Sequence, residues 1–78
     1  MFRVGDRVRF VTSWDIYPYC VVPQGTVGTV TEVKDEQNGM IFVLPDDTGI
    51  RAILSEWDGA IQVWALEDED ECPIEVTP

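Results

Sequence analysis

The chain has 78 residues, of which 45% are hydrophobic and 26% charged, and its formal net charge at pH 7 is −10. A chain of this length forms one domain with a small core, and its apolar runs are far shorter than the roughly 18 residues that a membrane span requires. The charges within "MFRVGDRVRF" do not fit the apolar segment of a secretory signal. We therefore expect a soluble, cytoplasmic protein.

The residue types also restrict the chemistry. There is no His, and the two cysteines, Cys20 and Cys72, are 52 positions apart. Neither a zinc site nor a Ser-His or Cys-His catalytic pair fits this composition. Two reduced thiols are expected in the cytoplasm, and a disulfide between them is the alternative. We predict a protein without catalytic activity and without a cofactor or metal ion.

Charge is distributed unevenly along the chain. Residues 1–34 contain three acidic and four basic residues and sum to +1, whereas residues 35–78 contain twelve acidic and one basic residue and sum to −11. Such a surface favours a basic partner and makes direct binding to nucleic acid unfavourable. The sequence therefore predicts a protein partner.

Short strands are predicted from the start of the chain. "RVRFV", residues 7–11, alternates apolar and charged residues, as a half-buried strand does. "TSWDIYPYCVVPQ", residues 12–24, contains two prolines and lacks clean periodicity, which predicts a long ordered loop. Gly25 then fits a turn position with positive φ.

"TVGTVTEV", residues 26–33, carries a change of parity. Val27 and Val30 cannot both face the core in a strictly alternating strand, so the sequence predicts a bulge or a sharp bend at Gly28 that turns both valines inward. The alternative is a flat strand that Gly28 merely weakens.

Turn residues divide the remaining chain. "DEQNG", residues 35–39, predicts a hairpin into "MIFVL", and "PDDTG", residues 45–49, predicts a turn before "IRAIL", which we count as the fourth strand. Ser55 is expected to start one helical turn, and Asp58-Gly59 predicts a hairpin into "AIQVWAL". Five short strands with turns about every ten residues indicate a small antiparallel barrel or sandwich.

The order of "VGDRVRF", a long loop, "GTVGTVTEV" and a short helical turn before the last strand resembles five-stranded barrels of the Src-homology-3 (SH3) type over residues 2–66. "GTVGTV" resembles the core of the KOW motif. Similar segments occur in the non-catalytic barrel chains of ferredoxin-thioredoxin reductase and nitrile hydratase, and the aromatic segments resemble small proteins of bacteria and phages. This implies an all-β fold, a small five-stranded SH3-like antiparallel barrel over residues 1–66, with an acidic C-terminal tail over residues 67–78.

Two candidate binding surfaces follow. The first is acidic and would engage a basic protein, with mimicry of nucleic acid by a phage-type inhibitor as one version. The alternatives for its tail are a solvated segment or one lying beside Arg7 and Arg9; the spacing does not match a calcium loop. The predicted acidic residues are Asp35, Glu36, Asp46, Asp47, Glu56, Asp58, Glu67, Asp68, Glu69, Asp70 and Glu71.

The second surface is aromatic and comprises Trp14, Tyr17, Tyr19 and Trp57. Tyr17, Pro18 and Tyr19 beside Trp57 would form a shallow groove for an extended or Pro-rich peptide. Alternatively, the aromatic residues would anchor the protein as an accessory subunit of a larger enzyme or redox complex. The alternative is that these side chains cap the open end of the barrel. Binding by a stripe of Arg3, Arg7, Arg9 and Lys34 to RNA is disfavoured by the fifteen acidic residues.

Overall fold

A computed structural model describes residues 2–66 and 71–77 of the chain. These residues form seven short strands, one α-helix and one 3-10 helix, which confirms the prediction of a mainly β fold. The elements are β1 (Arg7–Phe10), β2 (Trp14–Ile16), β3 (Cys20–Val22), β4 (Val27–Asp35), β5 (Met40–Pro45), α1 (Thr48–Ile53), the 3-10 helix (Ser55–Trp57), β6 (Ile61–Trp64) and β7 (Ile74–Val76). None of the helices in this described part is long and apolar enough to cross a membrane.

Five strands form one antiparallel sheet in the order β6-β5-β4-β1-β7, and β2 pairs with β3 in a separate two-stranded sheet. The predicted closed barrel is wrong, because β6 and β7 lie at opposite edges and do not pair with each other. Residues 50–54, predicted as the fourth strand, lie in α1 and at its C-terminal end. β7 falls within the range predicted as the acidic tail and pairs with β1; Glu67, Asp68, Glu69 and Asp70 lie outside the described residues.

The core lies on one face of the large sheet and follows the period of the strands. Val8 and Phe10 of β1 are 0% and 1% exposed, whereas Arg7 and Arg9 face solvent, as predicted. β5 and β6 alternate in the same way, and the 3-10 helical turn expected at Ser55 is present. The buried apolar residues are Phe2, Val8, Phe10, Val22, Val30, Ile41, Val43, Ile50, Leu54, Ile61, Val63, Ala65 and Ile74.

The parity of β4 changes near Thr31, not at Gly28. Val30 is fully buried, but Val27 pairs with the outward-facing Arg9 and shares its face, because directly opposed residues lie on the same side of a sheet. The register to β5 then shifts between Val30 and Glu32, and Val33 packs against the core. The prediction that both Val27 and Val30 face inward is therefore wrong.

Gly28 has a different role from the predicted bend. β4 pairs there with both neighbours, with Val8 on one side and Pro45 on the other. A β-carbon on Gly28 would lie 2.6 Å from the carbonyl oxygen of Leu44 and 2.8 Å from Cγ1 of Val43. The two backbones approach too closely for any larger residue.

Residues 50–54, predicted as a strand, belong to α1 and the residue that ends it. Asp47 caps the helix by accepting hydrogen bonds from the amides of Gly49 (2.8 Å) and Ile50 (3.2 Å). Ile50 and Leu54 are four positions apart and both buried, so they lie on one helical face. Because Asp58-Gly59 follows the 3-10 helix, it is a turn between a helix and a strand and not the predicted hairpin.

The predicted loop of residues 12–24 contains the β2–β3 hairpin, so this prediction is also wrong. Trp14 pairs with Val22, and Ile16 with Cys20. Each strand has three residues, which is too short for a period of two to be recognised in the sequence. The predicted turns at Gly25 and Gly39 are confirmed by φ values of +91° and +75°.

Replacing Gly28 with Ala should destabilise the fold by about 1–3 kcal/mol, because the added methyl group forces β4 away from β5. Urea unfolding followed by tryptophan fluorescence measures this change. For comparison, Gly49→Ala brings a β-carbon to 3.1 Å from a side-chain oxygen, that of Asp47, rather than to 2.6 Å from a backbone carbonyl, and should destabilise the fold less. Equal unfolding midpoints for Gly28→Ala and the wild type would contradict the close approach.

Candidate protein-binding groove

A groove of about 480 Å³ lies between the outer face of β4 and β5 and the 3-10 helix. We call it the acidic groove, because three of its lining side chains are carboxylates. It is lined by Thr31, Glu32, Lys34, Phe42, Leu44, Glu56, Trp57, Asp58 and Ala60. The apolar side chains among these provide a surface that can desolvate a ligand, and the carboxylates provide charge that can orient one.

A smaller depression of about 220 Å³, the aromatic pocket, adjoins the acidic groove. It is lined by Ile16, Tyr17, Tyr19, Leu54, Trp57, Ala60 and Gln62. Trp57 and Ala60 line both cavities. The two surfaces that the sequence presents separately, one acidic and one aromatic, therefore meet at Trp57.

Trp57 is held by an edge contact with Tyr19. The two rings are 4.8 Å apart between centroids and 82° apart in plane, a favourable arrangement for aromatic pairs. Trp57 and Tyr19 remain 39% and 43% exposed, and Tyr17 is 87% exposed. These three predicted aromatic residues are thus brought together on the surface.

Trp14, the fourth predicted aromatic residue, does not line either cavity. It is half-buried, packs against the core, and its Nε1 donates a 3.0 Å hydrogen bond to the carbonyl oxygen of Gln62. This bond ties the β2–β3 hairpin to β6. Trp14 therefore positions the hairpin that carries Tyr17 and Tyr19.

The local backbone after Trp57 aims the next side chain at the groove. Asp58 has φ of +56° and Gly59 φ of +80°, which reverses the chain within two residues. The amide of Gly59 donates to the carbonyl of Leu54 at 3.0 Å, and Leu54 is anchored in the core. Asp58 therefore lines the groove. Glu56, which precedes Trp57 in the chain, lines it as well.

The opposite wall contains Glu32 and Lys34, which were not predicted to act together. The register shift in β4 places both side chains on the outer face while Val33 packs inward. Nζ of Lys34 lies 3.1 Å from Oε1 of Glu32, and the two side chains are 50% and 52% exposed. The only sequence signal for this wall was the alternation of Glu32, Val33 and Lys34.

Several predicted acidic residues instead stabilise the fold. Asp46 accepts two hydrogen bonds from Arg7, at 2.8 and 2.6 Å, and the Arg7 guanidinium lowers the pKa of its carboxyl group. Asp35 accepts hydrogen bonds from Asn38 and Gln37 in the β4–β5 turn, chiefly through the Asn38 side chain, and these lower its pKa. Asp47 caps α1.

The other predicted acids are exposed. The side chains of Glu36, Glu56, Asp58 and Glu71 make no hydrogen bond or ion pair with any residue in the described ranges. Of these four, Glu56 and Asp58 line the acidic groove. Their negative charge is therefore available to a partner.

β7 brings a further carboxylate to the basic side of the sheet. Glu75 forms an ion pair with Arg9, and the hydroxyl of Thr77 donates to the carbonyl of Arg7 at 3.2 Å. The predicted alternative, in which the C-terminal segment lies beside Arg7 and Arg9, is therefore confirmed for Glu75 and Thr77. Arg7 and Arg9 both have acidic partners within the chain, at Asp46 and Glu75.

Groups that could support metal binding or thiol chemistry are sparse in residues 2–66 and 71–77. No three Cys, Asp or Glu side chains of these ranges are grouped to hold a metal ion. Cys20 and Cys72 are both thiols and both half-buried, and Sγ of Cys72 donates to the carbonyl of Ile74 at 3.2 Å.

No protein-family model matches the chain, and no curated protein or solved structure matches it. The resemblance to SH3-like and KOW-like barrels therefore stays a prediction.

Replacing Asp46 with Asn should reduce the pH dependence of stability in acid. Because the folded protein lowers the pKa of Asp46, this carboxylate stabilises the fold above its unfolded pKa of about 3.9, and the stabilisation is lost as the pH falls through the folded value. Urea midpoints from pH 7 to pH 2.5 should fall less steeply for the variant below about pH 4. Identical slopes would show that the Arg7 pair does not persist in solution.

Two substitutions of Asp47 distinguish the effect of its charge on stability from the effect of its capping hydrogen bonds. Asp47→Ala should destabilise the protein by about 1 kcal/mol, whereas Asp47→Asn keeps a capping oxygen and should retain most of the stability. Thermal unfolding of both variants measures the difference. Similar losses for Ala and Asn would mean that charge, and not the cap, stabilises α1.

Proposed function

We propose that this protein is a non-catalytic binding module whose acidic groove engages a basic segment of a partner protein. The observation that carries the proposal is the position of Glu56 and Asp58 beside the exposed ring of Trp57; neither carboxylate has a partner within residues 2–66 and 71–77. A Lys or Arg side chain in this groove can form an ion pair and contact the indole face. The apolar stem of such a side chain suits the surface of Phe42 and Leu44.

The distribution of charge supports this assignment. Asp35, Asp46 and Asp47 are hydrogen-bonded within the fold, so their carboxylates are less available to a ligand. Glu56 and Asp58 make no such contact with any other described residue. Exposed ion pairs contribute about 0.2–1 kcal/mol each, so the complex should be transient and should weaken as salt rises.

The proposed partner is a protein, and one version is a protein that normally binds nucleic acid. In that version the carboxylates of the acidic groove would compete with phosphates for the same basic residues. A short DNA duplex added to the complex would then displace this protein from its partner. Displacement would support mimicry. A complex that resists the DNA would show that the partner does not bind nucleic acid through the surface that contacts this protein.

A second candidate is an accessory subunit held mainly by aromatic contacts. The exposure of Tyr17, at 87%, favours it, because this ring projects beside Tyr19 and Trp57 of the aromatic pocket. Large aromatic side chains contribute strongly to protein interfaces. Such a complex would resist salt and would depend on Tyr17.

The two candidates are distinguished by affinity capture from a lysate of cells that produce the protein, at about 50 and 500 mM salt, followed by titration of the captured partner. Glu56→Gln with Asp58→Asn should weaken binding about 2- to 30-fold at low salt. The control, Asp15→Asn with Glu36→Gln, removes the same charge outside the groove and should have little effect. Tyr17→Ser tests the second candidate.

Salt-independent binding that is lost in Tyr17→Ser would refute the acidic groove and support the accessory subunit. Equal weakening by the two double variants would show that total negative charge, and not the groove, drives binding. Circular dichroism of each variant must show the wild-type spectrum before the affinities are compared.

A further inference from the structure

Of the described residues that line the acidic groove, Lys34 alone has a cationic side chain. Its ammonium lies 3.1 Å from the carboxylate of Glu32, and about half of each side chain is exposed. The pair stands on the β4 wall, and Glu56 and Asp58 stand on the other wall, next to Trp57. The groove therefore has one net negative wall and one wall whose charges compensate each other.

The register shift in β4 is the reason that this cation is present. Because pairing with β5 slips between Val30 and Glu32, Glu32 and Lys34 both face outward and Val33 faces the core. Bulges often redirect side chains next to binding sites. Without the shift, strict alternation from the buried Val30 would direct Glu32 and Lys34 toward the core.

We propose that Lys34 sets the charge selectivity of the acidic groove, so that it favours an extended apolar segment carrying one basic residue over a polybasic run. This inference rests on the proposed function. The single basic residue is placed against Glu56 and Asp58. A second basic residue, directed at the β4 wall, meets a carboxylate that Lys34 already neutralises and an ammonium that repels it.

The apolar part of the ligand is indicated by the surfaces between the walls. Phe42, Leu44 and Trp57 line the groove, and Tyr17 and Tyr19 continue the apolar surface into the aromatic pocket. A polybasic segment would leave these surfaces poorly covered. Selectivity therefore arises from repulsion at one wall as well as attraction at the other.

Two fluorescein-labelled decapeptides test the proposal by fluorescence anisotropy at low salt. One alternates lysine with proline, and the other keeps a single central lysine among prolines and leucines. The wild type should bind the single-lysine peptide more tightly. Lys34→Gln should raise the affinity for the peptide with alternating lysines about two- to fivefold. It should change the affinity for the single-lysine peptide much less.

Two control variants separate local from general charge effects. Arg3→Gln changes the net charge by the same amount at an exposed position outside the groove and should leave the ratio of the two affinities unchanged. Lys34→Arg keeps the cation and should behave as the wild type. An equal gain in Arg3→Gln and Lys34→Gln would overturn the proposal.

The outcomes for the groove itself are distinct. If Glu56→Gln with Asp58→Asn weakens both peptides but Lys34→Gln binds them as the wild type does, the binding groove stands and the selectivity of Lys34 is refuted. If the wild type and Lys34→Gln bind neither peptide, both the selectivity and the proposed function are refuted.

Discussion

The close contact between β4 and β5 at Gly28 is the constraint on which the rest of the structure depends. A β-carbon at this position would lie 2.6 Å from the carbonyl oxygen of Leu44, so only glycine lets β4 pair with β1 and β5 at the same residue. β4 is thereby the central strand of the five-stranded sheet. Val8, Val30 and Val43 from these three strands are fully buried together.

The candidate site follows from this central strand and from the segment that packs beside it. After the close contact, the register shift in β4 turns Glu32 and Lys34 to the outer face. Leu54, buried in the core, fixes the start of the 3-10 helix and so the position of Trp57. A groove with an acidic wall and a compensated wall results from these two irregular elements, and not from a regular strand or helix.

Carboxylates in this protein act in different ways according to their neighbours. Asp46 pairs with Arg7 across the sheet and Asp47 caps a helix, although the two are adjacent in the chain. Asp58 has no such partner among the described residues and lines the groove. The fifteen acidic residues therefore differ in role, and the net charge alone does not show which carboxylates are engaged within the fold.

The sequence by itself determined the elements that depend on local pattern: the alternation of β1, the strands at β5 and β6, the turns at Gly25 and Gly39, and the excess of acidic residues. It did not determine the β2–β3 hairpin or β7, whose strands have only three residues each. It did not determine α1 either, because the pattern of "IRAIL" is compatible with both a strand and a helical face. Only the tertiary structure paired Asp46 with Arg7 and brought Trp57, with its chain neighbours Glu56 and Asp58, beside Tyr19 and the outer face of β4 and β5. These contacts join residues distant in the chain, and their geometry depends on packing that no local pattern encodes.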